Sequence, residues 1–221
     1  MAFGKTQGDR FGEAWAAITA LVDADGSARE AQVQALVRPG ATMRDLADAT
    51  HCLCLLHGRH PGVFDLARGR ATHPASASWL ASVADAFAGE RATLVRLVAA
   101  VGPLPSTPGQ AESEAAIAAQ LHAIDMLAAS DRPGCPVGAA LALLLDWASV
   151  RAVLATVATR SGIDLPDAPL PGEAECATLV AMLADSVSFE RAMLFGAQQL
   201  LAQHRALWQL LEGRAAARSA S

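Results

Sequence analysis

Residues 78–101 read SWLASVADAFAGERATLVRLVAAV. Leu80, Val83, Phe87, Leu94, Leu97 and Val101 recur at helical steps of three and four, the period of one buried face of an α-helix, and Glu90 falls in phase with them. This stretch therefore predicts a long helix with a charged residue in the middle of its apolar stripe. Its composition is that of the whole chain, which is 52% hydrophobic, 18% charged and 5% aromatic, with no Tyr. A core built from Ala, Leu and Val favours helices, since Ala and Leu are strong helix formers and β-branched or aromatic runs are scarce. The expected fold is all-α: one domain over residues 1–221, an antiparallel bundle of seven or eight helices.

Outward from this helix, the same period and the breaks between periods divide the chain. Toward the N-terminus we expect helices at about Phe11 to Val22, Ser27 to Val37 and Thr42 to His57, and a short one after Pro61. Ser27 with Glu30, and Thr42 with Asp45, have the spacing of N-terminal caps. Toward the C-terminus, Thr107-Pro108-x-Gln110 opens a helix to Ala129, and Val137 to Thr159 forms the most apolar one. The last runs from Ala174 to Glu212, with a kink or break expected near Gly196.

The helix at residues 80–97 has a counterpart 100 residues on, VAMLADSVSFERAMLFGA at 180–197. Seven of the 18 positions are identical, Glu90-Arg91 and Glu190-Arg191 among them. Such a match suggests duplicated halves, 41–101 and 110–212, related by a pseudo-twofold axis with the two helices facing each other.

Charged groups on apolar stripes are the candidate functional residues. Glu190 and His204 interrupt the C-terminal seam, and Asp146 lies within the most apolar helix. A carboxylate in such a place must be paired, protonated or metal-bound. One reading satisfies these acids with Arg91, Arg151, Arg191 or a His through buried ion pairs. Another gathers Glu90, His122, Asp125, Asp146 and Glu190 around iron, manganese or zinc. In that respect the chain faintly resembles the ferritin-like di-metal bundles. It departs from their pattern in having no E-x-x-H, only His122-x-x-Asp125 with the order reversed. As a whole the chain resembles uncharacterised bacterial all-helical families. The ligand-binding residues we nominate are Glu90, Arg91, Asp146, Glu190, Arg191, His57 and His60.

The segment HCLCLLHGRH, residues 51–60, crowds His and Cys in a way that invites zinc. On a helix, however, His51, Cys54 and His57 drift round the axis, and the plainer reading is buried Cys beside a His-rich helix end. A net charge of −5 argues against a nucleic-acid partner. Four unspaced cysteines and a polar start suggest a cytoplasmic protein, and the run from Val137 to Leu145 is too short for a membrane span. The expected function is non-catalytic: an interaction or small-ligand-binding protein, with a homodimer, another protein or a small molecule as partner. A metal-dependent oxidoreductase is the alternative.

Overall fold

The computed structural model describes residues 7–183 and 186–220, with side chains from residue 12 onward. Among these residues there are nine α-helices and no strand. They are α1 (Gln7–Asp25), α2 (Ala31–Leu36), α3 (Met43–His57), α4 (Val63–Arg68), α5 (Pro74–Val101), α6 (Gln110–Ala128), α7 (Cys135–Ser161), α8 (Glu173–Leu183) and α9 (Val187–Ser219). A single 3-10 turn, Ser27–Arg29, joins α1 to α2.

Local chemistry sets most of these boundaries. Thr42 caps α3 as its spacing predicts, its hydroxyl oxygen accepting from the Asp45 amide at 3.1 Å. Helix α5 starts earlier than its apolar period, because His73 caps it and Pro74 supplies the first turn. Two predicted caps are diverted. The Ser27 hydroxyl is used in the core instead of by Glu30, and Thr107 accepts from Arg218, so α6 begins two residues later with Gly109 as its cap.

The long C-terminal run breaks at Ser186, whose hydroxyl caps α9, and not at Gly196. Gly196 has a different task. A Cβ there would overlap the Cys135 carbonyl, and one at Gly138 would overlap the Met193 carbonyl, so these glycines let α7 and α9 touch along their backbones. Both helices advance together. Gly138 lies against Met193, Ala139 against Gly196, and further along Asp146 meets His204, so this closely packed pair runs parallel. By contrast Asp45 and Asp48 of α3 meet Arg218 and Arg214 in reverse order, which makes α3 and α9 antiparallel there.

Helix α7 is the axis of the molecule. Its length and composition alone would suit a membrane crossing, yet 72% of its most apolar window is buried by the rest of the chain. The two similar segments have unlike structures: residues 80–97 lie within α5, which packs chiefly on α3, α4 and α7, whereas residues 180–197 span the end of α8 and the start of α9, and α9 packs on α7, α1 and α6. The C-terminal half of α9 is built into the core, where Leu207, Trp208, Leu211 and Arg214 are all buried.

Candidate functional site

Among the described residues, three buried polar clusters stand out, each assembled from segments far apart in the chain. The first is centred on Asp146, which is 1% exposed. Its Oδ1 accepts from the Ser27 amide at 2.7 Å and its Oδ2 from the Ser27 hydroxyl and from Nδ1 of His204, the latter at 2.6 Å. Nε2 of His204 is in turn 3.1 Å from Nε2 of His57. Gly26 makes this possible, as a Cβ there would strike the Val22 carbonyl and crowd the Asp146 carboxylate.

Burial pushes the Asp146 carboxyl up, but the His204 and Ser27 hydrogen bonds outweigh it and hold the group below the usual carboxylate range. An ionised Asp146 requires the proton on Nδ1 of His204. Burial, aided by the neighbouring His204 and Arg59, holds His57 well below the ordinary imidazole range, so it is neutral. The arrangement has the residue types of a Ser-His-Asp triad without its order. Ser27 donates to the aspartate rather than to the histidine, and Trp208 Nε1 donates to its oxygen at 2.7 Å, so the hydroxyl is locked rather than activated.

The second cluster is centred on Glu90, 2% exposed. Trp147 Nε1 donates to it at 2.7 Å, and Arg151 pairs with its other oxygen. The Trp147 ring meets His57 edge to face, with centroids 5.5 Å apart, which ties the two clusters into one polar seam.

The third cluster lies between α3 and α9. Arg214 Nε donates to both Asp48 oxygens, at 3.1 and 2.9 Å, and its Nη2 donates to Asp48 and to Gln110. Arg218 pairs with Asp48 and Asp45 and donates to Thr107 at 2.8 Å. Asp48 is wholly buried and Arg214 is 4% exposed. Beside them is a cavity of about 360 Å³ walled by Cys52 and Leu55 of α3, Leu104, Ile117 and Leu121, with Arg214 in its lining. Burial, together with the Asp48 charge, pushes the Cys52 thiol up to about 12, so it is no nucleophile.

Of the residues nominated from sequence, the fold brings Asp146 and His57 into one chain and links Glu90 to it through Trp147. The others lie apart. Arg91 pairs with Asp65 at 3.2 Å, His60 is largely exposed beside Asp65, and Arg191 is exposed. Glu190 is half-buried in the first turn of α9. Asp125 pairs with Arg59, and His122 is exposed. The five residues expected to hold iron, manganese or zinc therefore do not converge, and among the described residues no group of three or more His, Cys, Asp or Glu side chains is arranged to hold a metal. The first cation partner of Glu90 is Arg151, as the ion-pair alternative has it.

Reading from sequence misses Ser27, Asp48, Arg214 and Arg218. Arg214 carried a signal: it is three residues beyond Leu211, in phase with the seam through Leu200, His204, Leu207 and Leu211.

Fold and site together define an all-helical protein whose interior is held by buried ion pairs and which has an apolar cavity against one of them. The model of a family of unknown function, DUF6975, matches residues 22–219, and the chain belongs to that family. No curated protein and no solved structure matches it.

Proposed function

We propose that this chain is a non-catalytic helical protein that binds one small, largely apolar molecule in the cavity between α3, α6 and α9. One observation carries the reading: an apolar hollow of about 360 Å³, partly open to solvent beside the exposed Leu55 and Ala118, lies against a buried arginine. Ligand sites are concave, mostly apolar and furnished with few polar groups. The cleft next to Asp146 is larger, about 460 Å³, but its wall is largely polar and its one buried acid is already fully engaged.

Titration with prodan, an uncharged naphthalene dye whose emission shifts blue in apolar surroundings, tests the proposal. We expect saturable one-to-one binding that Ala118→Trp abolishes, since Ala118 is an exposed residue of the cavity wall and a large ring there fills the space. Unchanged emission, or equal binding by the variant, contradicts it.

A homodimer is a second reading, favoured by an apolar groove between α1 and α9 where Phe195 is 43% exposed beside Leu21 and Leu194. Light scattering that finds a monomer at all concentrations removes it. A reducing, cytoplasmic and bacterial setting belongs to the same proposal, supported by the four free cysteines and by a basic complement in which Lys5 is the sole lysine.

A further inference from the structure

Polar side chains line the α3/α6/α9 cavity, yet the surface they leave to the space is almost wholly apolar. Their polar atoms are committed elsewhere. Gln110 accepts from Arg214 at 3.1 Å and donates to Glu114 at 2.8 Å, and the Ser113 hydroxyl donates to the Gly109 carbonyl at 3.0 Å. Arg214 gives Nε and Nη2 to Asp48 and Gln110, and its Nη1 is sealed beneath the surface. Cys52 is buried and keeps its proton, so it behaves as a small hydrophobe. Resting on the cavity reading above, we infer that the part of the ligand that enters this space is pure hydrocarbon: an alkyl, isoprenoid or unsubstituted aryl group with no hydrogen-bonding or charged atom.

Such a wall selects against anything else. A carbonyl or hydroxyl carried inward gives up its water and meets almost no polar surface in exchange. A charged group fares worse. Arg214 and Arg218 face Asp48 and Asp45, two cations against two anions, so the cluster is balanced before any ligand arrives and holds no surplus charge for an ion. Glu114 lies four residues before Ala118 on one exposed face of α6, so an anionic end left outside the cavity meets a like charge there. What remains favourable is contact with Leu55, Leu104, Ile117 and Leu121, which grows with the hydrocarbon area removed from water.

Three naphthalenes of nearly equal size separate the possibilities: 2-ethylnaphthalene, 2-acetylnaphthalene and 2-naphthoate, each competing with prodan on the full chain. The ethyl compound is expected to bind tightest. The acetyl compound should bind roughly tenfold more weakly, since its carbonyl is either buried without a partner or turned outward with loss of apolar contact. The naphthoate should be weaker still, and Ala118→Trp should remove binding of all three. Acetyl binding equal to or tighter than ethyl binding shows a polar partner in the wall; it overturns the hydrocarbon inference and leaves the cavity reading standing. Tightest binding by naphthoate overturns it in favour of an anion. Failure of all three to bind, or the same affinities in Ala118→Trp, overturns both.

Discussion

Asp48 and Arg214 stand 166 residues apart in the chain and meet in the dry interior as a bidentate ion pair, with Arg218 on the far carboxylate oxygen. Removing one member of such a cluster leaves the others buried without compensation. We therefore predict that Asp48→Asn costs about 3 kcal/mol or more in guanidinium unfolding. Asp45→Asn, at a carboxylate about a quarter exposed, should cost no more than about 1 kcal/mol. Equal losses at the two positions would show that burial is not what makes Asp48 matter.

The seam from Asp146 through His204 to His57 predicts a pH dependence. Because the folded state holds His57 well below its unfolded value of about 6.5, the unfolded chain takes up the proton first. Stability is then fully present above about pH 6.5 and falls as the pH drops, by up to about 1.4 kcal/mol per pH unit for one proton. Asp146 is shifted downward too, so its contribution persists until the pH falls below about 4, which leaves the window between to His57. The groups facing His57 are His204 and, at greater remove, Arg59 and Asp146. Unfolding midpoints measured from pH 7 to 4.5 should slope less in His57→Gln than in the wild type; parallel slopes would contradict this.

Glycines on the same helices should respond in opposite senses to one added methyl. Gly138→Ala and Gly196→Ala force α7 and α9 apart at backbone contacts and should each cost about 3 kcal/mol. At Gly213, inside α9, a Cβ meets nothing within 4 Å, and Gly213→Ala should stabilise by about 0.5–1 kcal/mol through helix propensity. Thermal melts of the three variants check both signs.

Burial keeps the thiols of Cys52 and Cys176 protonated, each pushed up to about 12. Iodoacetamide at pH 8 should leave both unmodified in the native protein and label them in denaturant, as read by peptide mass mapping. Rapid native labelling of Cys52 would mean that the cavity wall opens.

Much of the architecture was legible because helix formation is local. The periods around Glu90 and His204 marked buried faces correctly, and Thr42 with Asp45 marked a start. The partners were not legible, because Asp146 meets Ser27 and His204 only once α7 and α9 are side by side, and nothing local encodes that pairing. The glycines at 138 and 196 are its clearest trace, as they separate Asp146 and His204 from the contact by equal intervals on the two helices. The same diversion explains the failed Ser27 cap: a hydroxyl that could serve the next turn serves a buried carboxylate instead. Asp48 is not legible locally, because a charge between Ala47 and Ala49 reads as a solvated one until Arg214 arrives from the other end of the chain.

The most direct measurement is a crystal structure of the protein soaked with prodan. Density for the naphthalene ring between Leu55, Ile117 and Leu121 is the predicted result. A cavity holding only water, or a ring bound elsewhere on the surface, would contradict it.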